Sequence, residues 1–455
     1  IRKVFQSLGY TVSEGYKAMD LDAPMYLMGA ATDAVVTARL LPHVRAAAYA
    51  TLITGHPFPS PTGAEVDRLV EREQVINRML LRRACKGFRV DLDFLDRYRD
   101  ANSKARYAAE AGLAAAGIRP GNGNDLVRTL QEAGALPEDH PRTAKTGKPS
   151  TVATHLELLD HPLARLFVEA KQITKIEEDY LAKVVELAIE DSSGWPRIHP
   201  TVNLLAATTG RSSMGDPPLH QFPGEARGIL LADPGDELVS IDWAQIEPVI
   251  ACNIAGELPV LRGYEDGSSD LYSDLSSFAS IPRKTAKVVL LAQMYGEGIR
   301  KLAADLRCTQ DTAREYRAHI FAAMPRVERL LFRLRELGRM HRRIFTLSGR
   351  ILTVPLGKPF EEGGLPSVAT HKAINYFVQG SAYDLLAEAL IGVHEAGLGD
   401  AVYLGMHDEL AVSKDAAHDI EAIMRVPPPR LVHLAGRTPI LRTDVAVLGE
   451  RWAAA

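Results

Sequence analysis

The stretch "LVSIDWAQIE" (238–247) decides how this chain folds. Leu238, Val239 and Ile241 make a short apolar run after the turn-forming "ADPGDE" (232–237), which reads as a buried strand. Asp242 ends that run. A carboxylate at the edge of a hydrophobic strand is costly unless it is paired, solvated or bound to metal. A second one stands far along the chain, where Asp408 lies in a tight turn between "VYLGM" (402–406) and "LAV" (410–412). The pattern predicts one sheet assembled from two distant segments, with a helical layer inserted between them and another in front.

Two carboxylates brought together in such a sheet can clamp two divalent ions about 4 Å apart, one activating a hydroxyl and the other neutralising leaving phosphates. Aspartate in a turn is more often a turn former, so spacing alone leaves both readings open. A second stretch, "RKTAKVVLLAQMYG" (283–296), points the same way. Arg283, Lys287, Leu291 and Tyr295 fall four apart and form one stripe on an α-helix, about 18 Å long. The stripe offers charge, then an apolar surface, then an aromatic plate.

At 455 residues the chain is too long for one core and predicts several subdomains. With 46% hydrophobic and 24% charged residues it has the composition of an ordinary folded protein. No apolar run is long enough to span a membrane and no signal-peptide pattern is present, which predicts a soluble, cytoplasmic protein. Cys85, Cys252 and Cys308 follow no CxxC spacing, so they read as core or surface thiols rather than a disulfide framework or zinc site. The net charge is −4, yet residues 283–350 hold 16 Lys or Arg against 6 Asp or Glu. A local basic surface of this kind suits phosphate. The amphipathic "REYRAHIFAAMPRVERLLFRLRELGRMHRR" (314–343) reads equally well as a solvated helix face.

Residues 1–62 form a short piece closed by the Pro/Gly-rich "GHPFPSPTG" (55–63), and the opening Ile1 suggests a fragment of something longer. Residues 63–189 are mainly helical in pattern, an arm whose tip carries "RPGNGN" (119–124) and "HPRTAKTGKPST" (140–151) and is expected to be mobile. Strands follow, notably "ELVSIDW" (237–243). Helices dominate from about Leu271 to Ala396, and "AVYLGMHDELAVS" (401–413) returns to strands.

At this point the chain resembles the family A DNA polymerases, the group of bacterial DNA polymerase I and its phage relatives. "SIDWAQIE" (240–247) is similar to that family's first palm motif, "RKTAKVVLLAQMYG" to its fingers helix and "MHDEL" (406–410) to its second palm motif. Three motifs in the right order are far more specific than one. "TTGRSS" (208–213), "KAINYFVQGSAYDLL" (372–386) and the closing "GERW" (449–452) add to the match. The resemblance covers roughly residues 64–455 and implies an α/β (α+β) right-hand polymerase fold. Residues 63–189 would be the thumb, 190–270 the first part of the palm, 271–384 the fingers and 385–455 the rest of the palm. Residues 1–62 would be the end of an exonuclease-like domain and a linker, as in a Klenow-like, phage-type fragment. "GAATDAVVTARL" (29–40) is similar to the end of that domain; Asp33 could be its last carboxylate, and no 3′ to 5′ exonuclease activity is expected.

The resemblance also implies roles. Asp242 and Asp408 would hold two Mg²⁺ ions, for which Mn²⁺ can substitute, with the Trp243 backbone and Glu409 as further candidate ligands. Arg283 and Lys287 would meet the triphosphate of an incoming dNTP, with Lys287 also protonating pyrophosphate; Gln245 and Tyr272 would line the same nucleotide. Leu291 would sit against sugar and base, Tyr295 near the template base, and Glu247 where a ribose 2′-hydroxyl would be. Arg211, His407, Asn375, Gln379, Arg227 and Gln221 would contact primer–template DNA, and Lys145 and Lys148 would follow its backbone from the thumb tip.

Several positions depart from the family pattern. Leu291 replaces an aromatic residue, Ala292 a glycine, Val249 and His371 arginines, and Tyr272 a histidine; "HQFP" (220–223) replaces Gln-Asn-Ile-Pro. The implied protein is a monomer with no membrane partner, with room for a processivity factor. A single-subunit RNA polymerase and a catalytically inactive DNA-binding scaffold are the competing readings. Glu247 and the thumb pattern disfavour the first; intact Asp242, Lys287 and Asp408 disfavour the second.

Overall fold

The computed structural model describes residues 62–143, 146–357 and 366–453, preceded by the helix Pro24–Ala50 and scattered residues between 5 and 23. It divides into two units, Ile1–Arg68 and Leu69–Ala455. In the first, helix α1 (Pro24–Ala50) carries Asp33. Helix α2 (Gly63–Lys86) starts at a reciprocal cap: Thr62 N donates to Glu65 Oε2 at 2.6 Å and Glu65 N to Thr62 Oγ1 at 3.2 Å. Most of the linker "GHPFPSPTG" lies outside the described residues.

In the second unit α2 leads into strand β1 (Phe88–Val90) and helix α3 (Leu92–Ala115), capped by Asp91, whose side chain accepts from Phe94 N. Helix α4 (Gly123–Glu132) follows, started by Asn122, which accepts from Asn124 and Asp125 N. It starts within "RPGNGN" (119–124) at the arm's tip, where "NDLVRTLQE" carries a cap and a short 3.6-residue period among glycines. Helix α5 (Pro162–Ile176) packs on α3, and Leu113, Ile118, Leu126, Leu130 and Phe167 give the arm a core of its own.

Strands β2 (Ile189–Glu190) and β3 (Pro196–Ile198) come next. A separate pair, β4 (Thr201–Asn203) and β5 (Ser213–Gly215), brackets the loop with "TTGR", and β6 (Leu230–Leu231) completes a four-stranded sheet of order β2-β3-β1-β6. Strand β1 is a short addition to a stretch, residues 63–189, that is otherwise mainly helical. Three residues are too few for an alternating pattern to register.

Strand β7 (Leu238–Trp243) is followed by helices α6 (Ile246–Ala255), α7 (Leu271–Ala279), α8 (Arg283–Met294), α9 (Gln310–Ala323) and α10 (Pro325–His341). The hairpin β8 (Arg343–Phe345) and β9 (Ile351–Thr353) interrupts the expected run of helices. Helix α11 (His371–Glu395) buries sixteen of its 25 residues, packs on α6 and α10, and runs unbroken through the 384–385 position expected to divide fingers from palm. Strands β10 (Val402–Met406) and β11 (Glu409–Ser413), helix α12 (Ala417–Met424) and strand β12 (Thr443–Gly449) end the fold.

The second sheet has the order β10-β11-β7-β12, antiparallel throughout, so the two distant segments do meet. In β7 Leu238, Val239, Ile241 and Trp243 are buried while Ser240 and Asp242 are half-buried. A core including Phe88, Leu95, Tyr180, Phe222, Tyr403 and Trp452 joins the two sheets. A buried ionic cluster ties α2 to α11: Arg72 donates to Asp384 at 2.9 Å and to Glu388 at 3.0 Å, and Ser348 N donates to Asp384 at 2.7 Å. Among the described residues no helix is long and apolar enough to cross a membrane.

Candidate active site

Register brings the acidic residues together. Asp242 lies opposite Glu409 of β11 on one side and Asp444 of β12 on the other. Met406 pairs with Glu409, so His407 and Asp408 form the two-residue turn between β10 and β11. His407 takes a left-handed backbone, φ +57°, uncommon for a non-glycine residue. Trp243 N donates to the Asp408 carbonyl at 3.2 Å, which fixes the turn beside the end of β7.

The carboxylates are short of positive charge. Asp242 Oδ1 is buried with no hydrogen-bond partner. Burial, then the nearby Asp408, Glu409 and Asp444, pushes the Asp242 pKa up to about 7. Burial also raises Asp408, against the opposing pull of Arg211. Glu409 is engaged otherwise, accepting from Ser240 Oγ at 2.6 Å.

The α8 stripe faces outward as its spacing predicts. Arg283 and Lys287 are exposed and Leu291 and Tyr295 half-buried, whereas Ala286, Val289, Leu290 and Met294 pack inward. The first turn of α8 has no acidic residue and opens on Arg283 and Lys284, against the helix dipole. Cations placed there favour an anion in front of them. Arg283 meets Asp270, Nη2 to Oδ1 at 3.0 Å, and lies 5.7 Å from the Tyr272 ring centre; Lys287 Nζ lies 5.7 Å from the same ring. Burial opposes charge on Asp270, but bonds from Arg283 and Ser273 outweigh it and bring the pKa down to about 2.

Two contacts link the stripe to the end of β7. Gln245, left-handed at the start of α6, donates to Asp270 at 3.3 Å. Glu247 accepts from Tyr295 Oη at 2.6 Å and from Arg211 Nη2 at 2.7 Å. Burial raises the Glu247 pKa against these bonds. Burial raises that of Tyr272 too, with Glu247 and Asp408 among the charges it feels. Asp242, Asp408, Glu247, Gln245, Tyr272, Arg211 and the stripe thus form one constellation.

The remaining candidates are more scattered. The His407 ring lies 6.3 Å from that of His220, whose pKa burial, then His407, lowers to about 4. Asn375 and Gln379 are half-buried one turn apart on α11, and Asn375 Oδ1 has no partner. Arg227 stacks on Trp452 at 4.7 Å, and Gln221 is exposed. Lys148 donates to Asn124 at 3.2 Å on the arm; Lys145 lies outside the described residues.

The family model for DNA polymerase family A matches residues 100–427. The chain belongs to DNA polymerase family A. It is 26% identical over 413 residues to the DNA polymerase of Mycobacterium phage L5, covering 90% of this chain and 64% of the relative. It is 27% identical over 409 residues to the thermostable DNA polymerase I of Thermus aquaticus, covering 85% and 48%. Against the DNA polymerase I of Chloroflexus aurantiacus it is 30% identical over 303 residues, covering 62% and 31%. The chain thus spans about a third to two thirds of these relatives' length. The POL domain of Pol1 from M. smegmatis, solved in complex with DNA primer-template and dNTP, superposes with a TM-score of 0.69 at 24% identity, covering 84% of this chain and 70% of that one. The fold is therefore the α/β polymerase fold.

The unpartnered oxygen of Asp242 raises the question whether the acidic pair fits a metal ion. Among the described residues no three His, Cys, Asp or Glu side chains converge to enclose an ion. Two carboxylates with one unpartnered buried oxygen do fit Mg²⁺, which is commonly held by one or two carboxylates with waters and substrate phosphates. Three neighbours escaped the sequence reading: Asp270, Asp444 and His220. Asp270 heads "DLYS" as a helix cap, a legible signal whose second use on Arg283 is not legible. Asp444 shows only once the register of β12 is known.

Proposed function

We propose that this chain is a DNA-templated DNA polymerase that adds deoxynucleotides to a primer 3′ end and releases pyrophosphate. The observation carrying this reading is the meeting of Asp242 and Asp408 at the end of β7, linked through Glu247 and Gln245 to the α8 stripe.

In this reading Asp242, Asp408 and the Trp243 carbonyl would hold two Mg²⁺ ions. When bound, these activate the primer hydroxyl and neutralise the leaving phosphates. Lys287 and Arg283 bind the triphosphate, Arg283 exchanging part of its bond to Asp270 for a phosphate. Lys287, exposed and close to Tyr272, gives a proton to the departing pyrophosphate. Glu247, held from both sides by Arg211 and Tyr295, has little freedom to move and excludes a 2′-hydroxyl. Leu291 packs on the sugar and base. Asn375 and Gln379 present amide groups to the minor groove, whose acceptors are shared by all base pairs.

The test is extension of a primed DNA template with four dNTPs and Mg²⁺, comparing the unmodified chain with Asp408→Ala. Extension lost in the variant while duplex binding persists supports the reading. No extension by either chain overturns it in favour of a binding scaffold, and preferential use of ribonucleotides would favour the RNA polymerase alternative.

A further inference from the structure

On the side of α8 opposite the stripe, the buried Gln293 lines a cavity of about 270 Å³ between α8, α9 and α10. Three guanidiniums line it, Arg317 from α9 and Arg329 and Arg335 from α10, against one carboxylate, Glu328. None of the three makes an ion pair or side-chain hydrogen bond with a described residue, and Arg335 Nε is buried without a partner. Pairing is otherwise available on the same helices: Arg314 binds Asp311 and Arg339 binds Glu336. Arg335 feels burial first and then Arg317, a like charge, and both lower its pKa. Unpaired like charges gathered around a cavity are unfavourable until an anion joins them.

An aromatic ring stands with them. Phe332 is 64% exposed and lies three residues from Arg329 and three from Arg335, on one side of α10. Cations for a backbone beside an open ring for a base are the two parts of a single-strand site.

We propose that this pocket is a second nucleic-acid site, which holds the phosphates of an unpaired DNA strand among Arg317, Arg329 and Arg335 and stacks one base on Phe332. Identifying that strand as template not yet copied rests on the polymerase reading; strand binding itself does not. Because Gln293 belongs to α8, a strand held here touches the back of the helix whose front carries the nucleotide stripe.

The test is fluorescence anisotropy on the full chain, with two primer–template duplexes. One has a long unpaired template end and the other a template ending one nucleotide beyond the primer. The long end is expected to bind more tightly, and Arg317→Gln/Arg335→Gln to remove that advantage. The salt slope of the long duplex should fall by about 0.7 for each phosphate that no longer meets an arginine. Phe332→Ala should weaken the same duplex at least about fivefold. Arg329→Gln, at an exposed position, serves as the variant least able to disturb folding. Labelled oligothymidylate alone gives the same comparison should the chain not bind duplexes. Equal binding of the long duplex by all chains overturns the proposal. So does calorimetry in which the variants lose affinity for free dATP alone, which would assign the pocket to a free nucleotide. Extension on the short template by the unmodified chain tests the polymerase reading separately.

Discussion

The Tyr295 hydroxyl donates to one oxygen of Glu247 at 2.6 Å while Arg211 donates to the other at 2.7 Å. The end of α8 is thereby fastened to the start of α6 through a single carboxylate. Tyr295→Phe removes one bond and leaves the carboxylate paired, so it should cost about 1–2 kcal/mol in denaturant unfolding. Glu247→Ala leaves Arg211 half-buried and unpaired, and empties the volume assigned to the 2′-hydroxyl. Ribonucleotide incorporation, measured in competition with dNTPs, should rise in Glu247→Ala and stay low in Tyr295→Phe. Equal incorporation by both variants would remove Glu247 from the role of gate.

The residue after Tyr295 admits no side chain. Gly296 has φ +74°, and a Cβ there would stand 2.1 Å from the carbonyl oxygen of His371. The obstacle is backbone, so α8 and the start of α11 must move apart. Gly296→Ala should destabilise by more than about 1 kcal/mol from the backbone conformation alone, with a lower melting temperature. It should also raise the KM for dNTPs by shifting Tyr295.

What the sequence made legible follows from period and spacing. The α8 stripe was readable because four-residue spacing maps directly onto a helix face, and Asp242 because it ends an apolar run. Asp408 was readable as a turn residue, but its approach to Asp242 depends on pairing between residues 166 positions apart, which local pattern does not encode. The same limit hid β1, whose three residues find partners near 198 and 231. It also hid the bond between Arg211 and Glu247, two residues read separately as DNA contact and gate. The Arg283 pair with Asp270 changes the reading of a residue that looked free to bind phosphate.

The unpartnered Asp242 Oδ1 predicts that a divalent cation stabilises the fold without any nucleotide present. A ligand that binds only the folded state raises its melting temperature with concentration. Mg²⁺ and Mn²⁺ should each produce such a rise in the unmodified chain. Asp242→Asn should melt higher than the unmodified chain in EDTA, because a repelled charge is gone, and should respond far less to added metal. A metal response identical in both chains would place the ions elsewhere.

Leu291 supplies no hydroxyl beside the sugar. Discrimination against dideoxynucleotides is therefore expected, since nothing at this position replaces the missing 3′-hydroxyl's partner. Leu291→Tyr should increase dideoxynucleotide incorporation relative to dNTP in a chain-termination assay, and Leu291→Phe should not. Efficient termination by the unmodified chain would contradict this assignment.

Asp384 lies fully buried in α11 and binds Arg72 of α2, itself 3% exposed. Burial works against the Asp384 charge, but Arg72 and Arg350 outweigh it and hold the carboxyl below its ordinary pKa. A carboxylate whose folded pKa is depressed contributes stability that is present above the unfolded pKa, near 4, and lost as pH falls through the folded value. Stability should therefore decline below about pH 4 with a component that belongs to this pair. Asp384→Asn removes the charge but keeps the shape, leaving Arg72 with Glu73 and Glu388. Breaking a buried pair from one side costs about 3–5 kcal/mol, and the two remaining carboxylates should bring the loss to the lower end. Urea unfolding at pH 7 and at pH 3 separates the effects. The variant should be about 3 kcal/mol weaker at pH 7, and its deficit should shrink below about pH 4 as Asp384 takes up a proton in the unfolded state of the unmodified chain. A deficit independent of pH would mean that Asp384 acts through packing rather than through its charge on Arg72.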